Sequence, residues 1–132
     1  MKVAEFKGDV VILACAISAG IHGALVPAHF SEVAGAGAGF VAAAGALAGL
    51  VVWLTARPLN SLALGATAAV FLGLLASYAL AVTSGLPLLH PQPEAVDGLA
   101  LATKAVEALG LVVATSLLWR PADSLSPQPK GI

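Results

Sequence analysis

The sequence predicts an all-α membrane protein, a four-transmembrane-helix antiparallel bundle with both termini cytoplasmic. Of its 132 residues, 59% are hydrophobic and 10% are charged, whereas a soluble domain carries about 25% charged residues. Four apolar segments are each long enough to cross a hydrocarbon core of about 30 Å. Their short connections predict that successive helices are antiparallel neighbours. The predicted spans of this single membrane domain are 10–30, 36–56, 62–83 and 99–119, followed by a mobile polar tail over 121–132.

The distribution of basic residues predicts the orientation. Lys2 and Lys7 precede the first span, Arg57 lies between the second and third, and Arg120 and Lys130 follow the fourth. The connections after the first and third spans contain no Lys or Arg. Since basic residues are enriched on the cytoplasmic side, both termini are expected there.

Charge and motif content exclude several functional classes. The formal net charge of −1 leaves no basic face for nucleic acid. The single cysteine excludes an intrachain disulfide and any CxxC motif. The sequence contains no nucleophile–base pair, phosphate loop or dinucleotide fingerprint, so it gives an enzyme little support. The apolar composition predicts contact with a lipid bilayer and indicates no other partner.

Polar residues recur along one side of the first apolar segment. Cys15, His22 and His29 are seven apart, and at about 100° per residue each step falls only about 20° short of two full turns. Ser18 lies one turn from Cys15 and from His22, and Glu32 follows His29 by three residues. We expect this stripe to face protein or water, because a polar face cannot lie against lipid.

Pro27 interrupts the same segment. Its ring pushes against the carbonyl of Gly23, which loses its usual donor. We expect a kink or an early helix end here. The alternative is that the freed carbonyl oxygen is offered to a ligand.

The fourth span contains two charged residues, Lys104 and Glu107, and begins after Asp97, a predicted helix cap. A charge near the bilayer centre costs about 2.5–3.5 kcal/mol and usually faces the bundle interior. A Lys–Glu pair three residues apart lowers that cost by mutual neutralisation. In an antiparallel bundle both residues lie at a depth similar to that of His22.

Histidine and carboxylate side chains converge on one half of the predicted bundle. Imidazole and carboxylate together suit divalent transition metals, so the sequence predicts an outward-facing site for zinc, copper or iron built on His22, His29, Glu32 and His90. Further carboxylates are available as alternative ligands from Glu94, Asp97 and Glu107. His22 and His29 are about 10 Å apart along a helix, which favours a shallow and a deep position for the ion.

Three alternatives need no metal. In the first, His22 bonds a buried partner such as Glu107, His29 and His90 are ordinary interfacial residues, and the protein is a structural or accessory subunit of a respiratory or transport complex. The second is a b-type haem protein, which would need two histidines facing each other. The third is a proton relay through His22, Lys104 and Glu107.

Small residues at four-residue spacing occur along the second segment. Gly35 and Gly39 form one such pair, and Gly45 and Gly49 form another. This spacing lets membrane helices approach closely, so it predicts packing within the bundle, in a homo-oligomer or in a larger complex. Ridges of small residues on the lipid-facing surfaces of the second and third helices would indicate an interaction protein.

The segments SAGIHGALVPAHFSE and DGLALATKAVEALG resemble those of small, uncharacterised four-helix bacterial membrane proteins with a His-x6-His-x2-Glu pattern in the first helix. The resemblance covers most of the chain. Its most specific positions are His22, Pro27, His29, Glu32, Asp97, Lys104 and Glu107. It implies a location in the bacterial inner membrane and implies nothing about a substrate.

Overall fold

The computed structural model describes residues 2–87 and 91–120, and its regular structure is four helices. They are α1 (Val3–Glu32), α2 (Ala34–Ala56), α3 (Ser61–Thr83) and α4 (Gly98–Leu118). Each is long and apolar enough to cross a membrane. The predicted all-helical fold with four spans is therefore confirmed, and the chain is a multi-pass membrane protein. The orientation of the termini stays a prediction.

Helix α1 is longer than its predicted span at both ends. It begins at Val3, so Glu5, Lys7 and Asp9 are helical, and its 30 residues extend about 45 Å at 1.5 Å per residue. Pro27 lies inside the helix, which continues to Glu32, so the expectation of an early end was wrong. Proline removes one backbone bond, and the close packing of α1 along α2 compensates for that loss.

The connections at the two ends of the bundle differ in length. Val33 alone joins α1 to α2, in an extended conformation with φ −145° and ψ 125°. Between α2 and α3, Leu59 has a positive φ of 62°, and the Asn60 side chain caps α3 by accepting from the backbone N–H of Ala63 at 2.9 Å. The Asp97 side chain caps α4 in the same way, because it accepts a hydrogen bond of 2.7 Å from the backbone N–H of Ala100. This is the cap that the sequence predicts.

Helix α1 packs along α2 and α4, and α3 packs along α4. The bundle has two ends: the terminal end, where Lys2, Arg120 and the α2–α3 turn lie, and the opposite end, formed by the C-termini of α1 and α3 and the N-termini of α2 and α4. We call the latter the histidine end. The hydrophobic core contains Val11, Ala14, Cys15, Leu47, Leu50, Leu54, Ala63, Leu64, Phe71, Ala114 and Leu117.

Close helix approach depends on one glycine of α4. A Cβ atom at Gly110 would lie 2.5 Å from Cε2 of Phe71 and 3.0 Å from Cβ of Ala14. Gly110 therefore lets α4 contact both α3 and α1 at this level. Gly45 and Gly49 on α2 have open space around the same position, so this pair does not mediate packing between the described helices.

Candidate functional site

The polar stripe of α1 is buried, as its spacing predicts. Cys15 and Ser18 have no exposed surface, and His22 and His29 retain 6% and 9% of theirs. Glu32, one turn beyond His29, is exposed at the histidine end of the bundle. The stripe therefore runs from the hydrophobic core to the surface along one side of α1.

Glu107 is the centre of a buried polar cluster at the deep end of that stripe. Its side chain has no exposed surface, and its Oε1 accepts a hydrogen bond of 2.7 Å from the Ser18 hydroxyl. Its Oε2 accepts from the ammonium of Lys104, whose side chain is 16% exposed. Lys104 and Glu107 thus form an ion pair in the interior of the bundle.

His22 is held in place by the same serine. Its Nδ1 lies 2.8 Å from the backbone carbonyl oxygen of Ser18. Because a carbonyl only accepts, Nδ1 carries the hydrogen, and Nε2 of the neutral ring is the nitrogen with a free lone pair. The carboxylate of Glu107 is 3.9 Å from Nδ1 of His22, too far for a direct hydrogen bond. The two side chains are linked through Ser18, which contacts both.

His29 lies close to a carboxylate of its own helix. Its Nδ1 is 3.4 Å from Oε2 of Glu32, but this nitrogen is buried and makes no hydrogen bond. Nδ1 of His22, in contrast, is hydrogen-bonded to the Ser18 carbonyl. Metal-binding histidines commonly have one ring nitrogen fixed by a carbonyl or carboxylate, and of these two residues His22 shows that pattern.

An aromatic ring of α2 contacts both imidazoles. The centroid of Phe40 is 3.8 Å from that of His29 and 5.1 Å from that of His22. Phe40 therefore packs against both imidazoles in the cavity wall. Within the described ranges, no group of three His, Cys, Asp or Glu side chains is close enough to hold a metal ion.

The two histidines line a cavity of about 480 Å³ that involves all four helices. Carboxylates of Glu32, Glu94 and Asp97 lie in its wall at the histidine end, and Lys104 lies deeper. The predicted ligand His90 falls outside the described residues, although Leu86 and Glu94 on either side of it line the cavity. The cavity therefore combines an acidic mouth with imidazoles and one ammonium group further in.

Sequence reasoning did not assign Phe40 and Tyr78, the phenylalanine and tyrosine of the cavity wall, to the site. The ammonium of Lys104 lies 5.5 Å from the ring centroid of Tyr78, within reach of a cation–π attraction. The Tyr78 hydroxyl is buried without a hydrogen-bond partner. Tyr78 is the only tyrosine in the chain and lies in an apolar span, which is the one sequence signal that could have identified it.

Below Glu107 the interior is closely packed. Phe71, Leu47 and Val11 have no exposed surface, and Phe71 contacts the backbone of α4 at Gly110. The cavity is consequently closed towards the terminal end. Among the described residues there are no histidines facing each other across the bundle, so the haem alternative gains no support.

No protein-family model, curated protein or solved structure matches this chain. The resemblance of its sequence to small bacterial membrane proteins therefore stays an expectation, as does its location in the inner membrane.

Proposed function

We propose that this protein binds a divalent transition metal, such as zinc, copper or iron, in the cavity at the histidine end. The observation that carries the proposal is that His22 and His29 line the same cavity as three carboxylates. Nδ1 of His22 is fixed by the Ser18 carbonyl at 2.8 Å, and Nδ1 of His29 lies 3.4 Å from Glu32. Imidazoles are the commonest metal ligands in proteins, and a fixed nitrogen such as His22 Nδ1 orients the other ring nitrogen for a metal.

The ion has two positions at different depths. The shallow position uses His29 with the carboxylate of Glu32, and the deep position uses His22. His22 and His29 are seven residues apart on one helix, about 10 Å along its axis, so an ion would bind one imidazole at a time, with water completing its coordination. His90 stays a predicted additional ligand.

Charge in the cavity favours a cation at the mouth. Glu32, Glu94 and Asp97 all line it at the histidine end, and carboxylates attract divalent ions and bind them directly. Deeper in the cavity, Lys104 and Glu107 neutralise each other. With both termini cytoplasmic, as the basic residues predict, the cavity would open on the outer side of the membrane.

The close packing between His22 and the terminal end supports binding of an ion rather than its passage across the membrane. An ion that reached His22 would meet the buried side chains of Phe71, Leu47 and Val11 before the terminal end. Crossing such an apolar layer without water is strongly unfavourable for an ion. The protein is thus proposed to hold a metal rather than conduct it.

The proposal is tested by the metal content of purified protein. Wild type, His22→Ala, His29→Ala and the control Ser77→Ala would be purified in detergent without a histidine tag, dialysed against zinc and analysed by mass spectrometry. Ser77 lines the same cavity and has no imidazole or carboxylate. We expect bound zinc in wild type and Ser77→Ala, with a loss in each histidine variant. Equal substoichiometric zinc in all four would contradict the proposal.

The exterior of the bundle favours a second candidate, an accessory or self-associating subunit. Gly45 and Gly49 on α2, and Gly65 and Gly73 on α3, have no atom within 4 Å of a Cβ position. Lipid-facing glycines of this kind let another helix approach closely. Sedimentation of the detergent-solubilised protein tests self-association, and a Gly45→Leu, Gly49→Leu variant should be monomeric if these residues mediate it.

A further inference from the structure

The cavity has the size and the wall of a site for a small organic molecule. Its volume is about 480 Å³, within the range of about 300–1,000 Å³ that is usual for such sites. Apolar side chains form much of its wall, among them those of Ile21, Leu25 and Leu74. An occupant that fills this space therefore needs an apolar body, because burying apolar surface against such a wall removes both from water.

The charges around the cavity favour a cationic occupant. Three carboxylates, those of Glu32, Glu94 and Asp97, line it at the histidine end. Among the described residues that line it, Lys104 is the one lysine or arginine, and its ammonium is paired with Glu107. An anion would therefore meet like charges at the mouth of the cavity, whereas a cation would be attracted to it.

A buried nitrogen beside one of these carboxylates has no hydrogen-bond partner. His29 is 9% exposed, and its Nδ1 makes no hydrogen bond, which is unfavourable for a buried polar atom. Oε2 of Glu32 lies 3.4 Å from this nitrogen, so one donor group of an occupant can reach both atoms. A primary ammonium has three N–H donors, and both a neutral imidazole nitrogen and a carboxylate oxygen can accept from it.

From these observations we infer that the cavity binds a small organic amine in its protonated form. The ammonium lies at the histidine end, where it donates to Glu32 and to Nδ1 of His29. The apolar body extends into the cavity towards Leu25 and Leu74. This inference goes beyond the proposed metal and does not depend on it, because an ammonium needs hydrogen-bond acceptors and no coordination.

The experiment compares three compounds that share one apolar body. The probe is 4-phenylbutylamine, which is protonated at pH 7.5 because its amine resembles that of lysine, with a pKa of about 10.4. Its counterparts, 4-phenylbutanol and 4-phenylbutyrate, have a neutral and an anionic head group. Each radiolabelled compound is dialysed to equilibrium against full-length protein in a nonionic detergent with EDTA, and the uptake by protein-free micelles is subtracted.

We expect the amine to bind saturably in a 1:1 ratio with the protein. It should bind about tenfold more tightly than the alcohol, the gain expected from hydrogen bonds that involve a charged group. The carboxylate should bind more weakly than the alcohol, because its charge has the same sign as those at the mouth.

Glu32→Gln tests the position of the ammonium, because it removes the charge and keeps the size of the side chain. We expect about tenfold weaker binding of the amine. Binding of the alcohol should not change, which would show that the cavity is intact. Glu5→Gln is the matched control, the same substitution on the same helix, at an exposed position of the terminal end. It should bind all three compounds as wild type does.

Several results would overturn the inference. Equal binding of the amine and the alcohol would show that the carboxylates do not select the head group. Tightest binding of the carboxylate would assign the head group to Lys104. A loss in Glu32→Gln no larger than in Glu5→Gln would show that the ammonium does not lie at Glu32, and failure of all three compounds to bind would show that the cavity takes no such ligand. Because EDTA removes free metal throughout, none of these results decides the proposed metal site.

Discussion

The hydroxyl of Ser18 on α1 donates a hydrogen bond of 2.7 Å to the carboxylate of Glu107 on α4, 89 residues further along the chain. The backbone carbonyl oxygen of Ser18 also accepts a hydrogen bond from Nδ1 of His22. Ser18 thus links the intramembrane ion pair to the histidine stripe, and the deep end of the candidate site depends on a residue that cannot itself bind a metal strongly.

Removing this hydroxyl should destabilise the bundle. Ser18→Ala deprives the fully buried Glu107 carboxylate of one of its two hydrogen-bond donors, the other being Lys104, at an expected cost of about 1–3 kcal/mol in the free energy of unfolding. Ser31→Ala is the matched control, because Ser31 is exposed and bonds only within its own helix. Unfolding in mixed detergent micelles, followed by circular dichroism, measures both. Equal stability of the two variants would show that the bond contributes little.

The ion pair of Lys104 and Glu107 should respond non-additively to mutation. Lys104→Met leaves the fully buried Glu107 carboxylate without its cation, and such a loss costs about 3–5 kcal/mol. The double variant Lys104→Met, Glu107→Gln removes both charges, so we expect it to be more stable than Lys104→Met alone. A double variant as unstable as the sum of the two single variants would mean that the charges do not neutralise each other.

Gly110 should tolerate no side chain. Gly110→Ala places a methyl group 2.5 Å from Phe71 and 3.0 Å from Ala14, so α4 must move away from its neighbours, at a cost of about 1–3 kcal/mol. Gly73→Ala is the control, since the same position there is open and alanine favours the helix. Thermal unfolding of the two variants in detergent distinguishes them. A Gly110→Ala protein as stable as wild type would show that the helices are not in close contact at this level.

The topology can be tested by labelling single cysteines in a Cys15→Ser background. Glu94→Cys lies at the histidine end and Asn60→Cys at the terminal end of the bundle. If both termini are cytoplasmic, a membrane-impermeant maleimide added to intact cells should label position 94 and should label position 60 only after lysis. Labelling of position 60 in intact cells would reverse the orientation and place the cavity on the cytoplasmic side.

Zinc binding should weaken as the pH falls. A metal and a proton compete for the same imidazole lone pair. Zinc retained at pH 7.5 should therefore decrease as the pH is lowered to 5, measured by equilibrium dialysis. Retention that does not change over this range would assign the metal to the carboxylates rather than to the histidines.

The sequence alone determined the class of the protein and the buried face of α1. Four long apolar segments can bury their backbone polar groups in a bilayer only as helices, so the number of spans followed from composition. The seven-residue spacing of Cys15, His22 and His29 also fixed which side of α1 is polar, because helix geometry is local. The pairing of Lys104 with Glu107 followed from the same local geometry and from the cost of a lone charge in the membrane.

Only the tertiary structure decided how the polar groups meet across helices. The contact of Ser18 with Glu107 and the position of Phe40 against both imidazoles depend on how α1 packs against α4 and α2, which no spacing within one helix encodes. The continuation of α1 past Pro27 occurs where the helix packs along α2. The first turn of α1 is mostly exposed, and there the Lys2 N–H donates to the Glu5 carboxylate at the start of the helix. Tyr78 became part of the cavity through helix packing as well, since its apolar surroundings in the sequence match those of a lipid-facing residue.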